Sequence, residues 1–204
     1  MKALAVAVVA LAAFLALGFA VVRGGEPGAL IGWEVVLANH GALIAWWLTW
    51  ACYPQLLGPL AIALLIVAWR VPSWRARIVF SIIMLVLCWQ GADLFQHFFM
   101  RPRRLDWIVR REAAFSYPSS HAAIVTGFYL LWARMIAVSD LPRAVRATLP
   151  ALLAALAAAV CWSRLALGAH YLTDLAGGAL LAIAIVSVAL AAYPLKGFVR
   201  PAGV

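Results

Sequence analysis

The residues best suited to chemistry lie in three short polar segments. The third contains Ser163 and Arg164, then His170 six residues after the arginine, then Asp174. If a helix begins near His170, the i, i+4 spacing puts the imidazole and the carboxylate on one face. A carboxylate there accepts the Nδ1 proton, fixes the tautomer and leaves Nε2 as a free lone pair. An oriented neutral imidazole of this kind is a competent nucleophile toward phosphorus. The second segment is Tyr117-Pro118-Ser119-Ser120-His121. His121 follows a Pro-Ser-Ser turn at the start of an apolar run. That suits a general acid which protonates a departing oxygen and then activates water. The Ser119 hydroxyl and nearby helix amides suit a phosphate oxygen. The first segment runs from Gln96 to Arg104. Arg103 here and Arg164 in the third segment supply planar, bidentate charge for the equatorial oxygens of a phosphoryl group in transfer. With those groups available no metal is called for, and no carboxylate cluster suggests one. His40 and His97 read as ordinary interfacial polar residues.

The surrounding sequence must position these segments within lipid. Of the 204 residues, 67% are hydrophobic and 11% charged, and mean hydropathy is +1.02. A water-soluble domain of this size needs more polar surface. The apolar runs are long and continuous, so the backbone satisfies itself in helices. The pattern predicts an all-α polytopic membrane protein, a six-helix bundle forming a single domain over residues 1–204. The expected spans are Ala3–Val22, Leu43–Trp69, Ile78–Phe99, His121–Val138, Leu149–Trp162 and Tyr171–Tyr193. A cleaved signal peptide competes with a retained first span, which is the preferred reading. Glu26 to Ala42 reads as an interfacial segment, and Pro54 or Pro59 is expected to kink the second span. Cys52, Cys88 and Cys161 read as small buried hydrophobes.

The net charge is +9. Lys2, Arg70, Arg75, Arg77, Arg143, Arg146, Lys196 and Arg200 fall on one side of a six-span layout, which should be cytoplasmic. The other side holds the three polar segments, with Arg101, Arg103, Arg104, Arg110, Arg111 and Arg164. No basic, aromatic-studded soluble surface is available, so nucleic acid is not an expected partner.

At these residues the chain resembles the type-2 phosphatidic acid phosphatase superfamily, and in particular its membrane-bound bacterial members. The family pattern is Lys, six residues, Arg-Pro; then Pro-Ser-Gly-His; then Ser-Arg, five residues, His, three residues, Asp. The third part is matched in full by Ser163, Arg164, His170 and Asp174. The second is matched by Pro118, Ser119 and His121, with Ser120 in place of the usual glycine. The first departs. Aligning Arg103 with the family arginine puts Gln96 at the lysine and Arg104 at the proline. Aligning Arg101-Pro102 keeps the dipeptide but puts Leu94 at the lysine. The first register is preferred, with Arg101 or Arg104 as possible substitutes for the missing charge. The resemblance implies His170 as nucleophile, His121 as acid and Asp174 as orienting carboxylate. Gln96, Arg103, Ser119, Ser120 and Arg164 would line the phosphate pocket.

The expected function is therefore metal-independent hydrolysis, with no cofactor, of a membrane lipid phosphate or diphosphate through a phosphohistidine. The resemblance implies undecaprenyl pyrophosphate, phosphatidylglycerol phosphate, phosphatidic acid or lipid A phosphate as substrate, and the polyprenyl carrier ranks first. The expected location is a bacterial inner membrane, with the site facing the periplasm. Phosphotransfer to another acceptor, or an impaired lipid-phosphate binder, are the competing readings. A transporter is disfavoured, because no span carries a charge pair or an evident inverted repeat.

Overall fold

The computed structural model describes residues 1–38, 41–103 and 114–194. Among them the chain forms nine α-helices and no strand. They are α1 Lys2–Gly24, α2 Gly28–Leu37, α3 Ala42–Thr49, α4 Pro54–Arg70, α5 Pro72–Phe99, α6 Ser120–Ile124, α7 Leu131–Ala137, α8 Arg143–Ala166 and α9 Leu172–Ala192. Helices α1, α5, α8 and α9 are each long and apolar enough to cross a membrane. Helices α2 and α3, with the 3₁₀ turn Trp50–Cys52, form a pair bent by 101° that would count as a fifth span if taken as one. The chain is thus an all-helical, multi-pass membrane protein.

Several expected boundaries move. The run Leu43–Trp69 is two helices, because Tyr53 precedes Pro54 and adopts an extended conformation (φ −86°, ψ 148°) that ends one helix and starts the next. Pro59 sits inside α4 without interrupting it. The segment after Glu26 is not a helix lying alone on the surface: α2 touches α8, and its Glu34 is buried. The span at His121 consists of α6, a π-helical stretch over Val125–Leu130, and α7. Asn39, His40, Arg104, Arg110, Arg111, Lys196 and Arg200 lie outside the described residues.

In a bilayer, apolar surface alone does not drive helices together, so close packing and small residues must. Helix α1 buries Ala7, Ala10, Phe14, Gly18 and Val21, a stripe at helical spacing. It packs chiefly along α9. At Gly18 an added β-carbon would lie 2.4 Å from the Phe99 ring and 2.8 Å from Tyr117. Phe14, Phe99 and Tyr117 are buried together there, and the Tyr117 hydroxyl donates to the Phe14 carbonyl at 2.7 Å. Many large side chains that face outward are apolar, such as Leu43, Ile62, Trp69 and Leu152. They suit lipid rather than water. Arg101, which follows α5, bonds Glu26, which follows α1, and Asp174, in the first turn of α9. The polar segments therefore meet at one end of the bundle.

Candidate active site

The site is built around the turn between α8 and α9. Gly168 takes a left-handed conformation (φ 66°), which favours glycine. Its N–H donates to the Leu165 carbonyl, and the Ala169 N–H donates to the Arg164 carbonyl, each at 2.9 Å. This is a Schellman-type helix end, which closes α8 and reverses the chain within a few residues. Arg164 in the last turn of α8 and His170 just before α9 are thereby brought close, and both are fully buried.

His170 Nδ1 lies 3.3 Å from Asp174 Oδ2. The helix begins at Leu172 rather than near His170, so the pair forms across the extended Tyr171 and the first turn of α9 and not along one helix face. On the other side of the ring, Arg103 Nη1 lies 3.2 Å from Nε2. A guanidinium only donates, so Nε2 must be the acceptor and Nδ1 must carry the proton. Burial, followed by the Arg103 charge, pushes the His170 pKa from its ordinary 6.5 down to about 4. The imidazole is therefore neutral at physiological pH, with its lone pair on Nε2.

Asp174 is held from several sides. Its carboxylate accepts the Tyr171 N–H at 2.9 Å, the Ser116 hydroxyl, and Arg101 Nη1 at 2.6 Å. The first amides of a helix have no partner within the helix. Two more carboxylates serve that role here: Glu34 accepts the Leu172 N–H at 2.5 Å, and Glu26 accepts the Thr173 N–H at 3.3 Å. Negative charge at this end also complements the helix dipole.

The Ser119 turn is tied to α9 through its own N–H, which donates to the Asp174 backbone carbonyl at 3.0 Å. The Ser119 hydroxyl caps α6 by accepting the Ala122 N–H at 3.4 Å. Ser120 is half-buried at the first position of α6. His121 follows, buried, with its ring edge-on to Tyr53 at 5.4 Å between centroids. Neither ring nitrogen has a hydrogen-bond partner of good geometry among the described residues, although the Thr49 backbone is close. Arg164, His170 and Arg103 are all near enough to act on the His121 ring by charge. Arg164 Nη1 donates to the Thr49 hydroxyl at 2.7 Å. The two histidines, Asp174, Arg103, Arg164 and Ser119 thus converge.

Two of the expected phosphate contacts have other partners. The Gln96 amide donates to the Pro118 carbonyl at 2.9 Å and is buried, so it braces the turn before Ser119. Arg101 donates to Thr173, Asp174 and Glu26. Arg103, not Arg101, meets His170. His97 is exposed beside Asp93 and takes no part. Sequence reasoning missed Glu26, Glu34, Thr49, Tyr53 and Ser116. Only Glu26 and Glu34 carried a signal, as carboxylates in an otherwise apolar N-terminal stretch. Among the described residues no group of three or more His, Cys, Asp and Glu side chains is placed to hold a metal ion.

Residues 76–198 match the family model of the PAP2 superfamily. The chain belongs to the PAP2 superfamily. It is a phosphoric ester hydrolase of that family. No curated protein matches it significantly. Among solved structures, the fold is similar to that of the first transmembrane PAP2 type phosphatidylglycerolphosphate phosphatase from Bacillus subtilis. That likeness has a TM-score of 0.72 at 18% identity, covering 93% of this chain and 98% of the other. At that identity it is a likeness of fold. Every expected catalytic side chain lies inside the family match, whereas Glu26, Glu34, Thr49 and Tyr53 precede it.

Proposed function

We propose that this PAP2 member is a lipid phosphatase that works through a phosphohistidine on His170. The observation that carries the reading is the environment of His170, with a carboxylate on Nδ1 and a guanidinium on Nε2. Arg103 marks where a phosphate oxygen would sit, because a guanidinium donor 3.2 Å from the Nε2 lone pair can turn to an anion arriving there. Arg164 supplies a second guanidinium from the last turn of α8. In the first step Nε2 bonds to phosphorus as the bond to the leaving oxygen breaks. His121 gives that oxygen its proton. Asp174 balances the positive charge that develops on the His170 ring. In the second step His121 takes a proton from water, whose oxygen attacks phosphorus. The P–N bond breaks and neutral His170 is restored.

The bilayer arrangement in this reading has six spans: α1, α4, α5, the α6–α7 segment, α8 and α9. The bent pair α2–α3 folds against the site. Lys2, Arg70, Arg75, Arg77, Arg143 and Arg146 lie at span ends away from the site in this arrangement. The positive-inside rule then puts the site on the periplasmic face of a bacterial inner membrane. The substrate class is a membrane lipid with a terminal phosphate or diphosphate, undecaprenyl pyrophosphate first.

The test is phosphate release by detergent-purified protein, with EDTA present and His170→Ala alongside. The panel is undecaprenyl pyrophosphate, phosphatidylglycerol phosphate, phosphatidic acid and lipid A phosphate. Release from at least one lipid, abolished in His170→Ala and nearly so in His121→Ala, is the expected result. Normal release from either variant would sink the mechanism.

A further inference from the structure

The preferred alignment leaves the family lysine unreplaced, and Arg101 is the obvious nearby cation to take its place. The contacts of Arg101 point elsewhere. Its side chain is only 3% exposed, and the Glu26 side chain only 1%. Nη1 reaches Asp174 Oδ1 at 2.6 Å and the Thr173 hydroxyl at 2.8 Å, while Nη2 reaches Glu26 Oε2 at 2.9 Å. The Thr173 hydroxyl in turn donates to Glu26. The guanidinium also lies over the Tyr171 ring, 4.2 Å from its centroid. The planar fork is therefore occupied on both arms by carboxylates.

That occupation has a geometric effect. Holding Oδ1 of Asp174 fixes the rotation of its carboxylate, and Oδ2 is then the oxygen presented to His170 Nδ1. Glu26 fixes the guanidinium in turn, through a residue outside the family match. Two arginines separated by one proline thus divide the work, with Arg101 serving the carboxylate and Arg103 serving Nε2.

We propose that Glu26 and Arg101 are positioning residues that act through Asp174 to aim His170, and that Arg101 is not a phosphate ligand. The proposal rests on the phosphatase reading above. Its chemistry is that of preorganisation: a nucleophile misplaced by about 1 Å loses about 100-fold in rate.

The experiment uses the full chain in detergent, short-chain phosphatidic acid as substrate and inorganic phosphate as competitive inhibitor. The variants are Arg101→Lys, Glu26→Gln, Asp174→Asn, and each of the first two combined with Asp174→Asn. Arg101→Lys and Glu26→Gln should lower kcat by about 10- to 100-fold and leave phosphate inhibition unchanged. Added to Asp174→Asn, neither should cost anything more, because residues that act as one unit are not additive. A rise in the phosphate inhibition constant of about tenfold, or ~1.4 kcal/mol of lost contact, would make Arg101 a phosphate ligand and overturn the proposal. Fully additive losses would overturn it too, since they place the effect outside Asp174. If a single variant aggregates, Glu26→Gln combined with Arg101→Gln removes both charges together and carries the same expectations.

If the unmodified chain releases no phosphate from short-chain phosphatidic acid or from any lipid of the panel above, the phosphatase reading fails separately. The positioning claim is then read by NMR of ¹⁵N-histidine protein, with the His170 signal assigned through His170→Gln. The unmodified chain should show the Nδ1–H tautomer alone, and Arg101→Lys a mixture. A single unchanged tautomer in Arg101→Lys refutes the claim without reference to turnover.

Discussion

Gly178 offers the sharpest test of whether the two histidines depend on one helix contact. It lies in the first half of α9, facing the turn that carries Ser119 and His121. A β-carbon there would lie 2.3 Å from the Ser119 carbonyl oxygen, 2.9 Å from the Ala122 β-carbon and 3.0 Å from the Ala123 nitrogen. Two of those neighbours are backbone atoms, which cannot swing aside as a long side chain can. Ordinary contact begins near 3.4 Å, so the shortfall against the carbonyl is 3.4 − 2.3, about 1.1 Å. Gly178→Ala must therefore push the start of α6 away from α9 by roughly that distance. His121 rides on α6, and His170 is tied to α9 through Asp174, so the separation between acid and nucleophile widens. A misplacement of about 1 Å costs about 100-fold in rate, or ~2.7 kcal/mol of barrier. Overpacking costs a further ~1–3 kcal/mol of stability. The assay is kcat for phosphate release, with thermal unfolding in the same detergent to separate the two effects. Gly58→Ala is the control, because nothing lies within 4 Å of its added β-carbon. A Gly178→Ala protein that turns over at the unmodified rate would refute the claim that this contact sets the spacing of the histidines.

Three other expectations follow from the same geometry. The His170 pKa is held down near 4 by burial and by Arg103, and in the proposed mechanism the neutral ring is the nucleophile. The acid limb of kcat/KM due to His170 should then fall near pH 4 rather than 6.5, with activity lost only as pH drops through that value. Arg103→Met should move the limb upward, and a pH–rate profile in which it stays put contradicts the assignment. Gln96→Leu leaves the Pro118 carbonyl without its donor, so it should lower stability by about 1–3 kcal/mol with little change in KM. Thermal melting beside KM measures both, and a raised KM at full stability would return Gln96 to the phosphate pocket. Thr49→Val removes the hydroxyl that Arg164 donates to. It should raise KM by up to about tenfold, the scale of one modest hydrogen bond of ~0.5–1.5 kcal/mol, and an unchanged KM would show that Arg164 is held by other groups.

What could be read from sequence was whatever local geometry governs. His170 and Asp174 do meet, though not across one helix face: α9 begins at Leu172, Tyr171 is extended, and Asp174 reaches back from the first turn to His170. The spacing from Arg164 to His170 needs only a tight reversal, which Gly168 provides. The long apolar runs were legible as helices because lipid leaves the backbone no alternative. The roles of Gln96 and Arg101 were not legible. Gln96 finds its partner 22 residues away, and Arg101 finds its carboxylates 73 and 75 residues away. No spacing rule encodes such meetings, since they depend on how α1, α5 and α9 pack. The bend between α2 and α3 was equally hidden, because apolar composition there does not distinguish a straight span from a folded pair.

Helix α5 carries a last consequence, for the membrane itself. Its 28 residues make a rod about 42 Å long, against a hydrocarbon layer of about 30 Å. A tilt of about 20°, ordinary for such helices, shortens its vertical reach to only about 39 Å. Roughly six residues must therefore project, and Pro72 to Arg77, with Trp74 and two arginines, are the ones suited to headgroups. The opposite end, at Phe99, then stops at the acyl boundary, and Arg101 and Arg103 follow at once. In the proposed arrangement the rod would act as a ruler that sets the depth of His170 Nε2. A phosphate at headgroup height would meet it while its chains stay in the oil, and no extraction step is needed. In nanodiscs of graded acyl length, turnover should peak at one thickness and fall on both sides as the lipid phosphates shift past a fixed nucleophile.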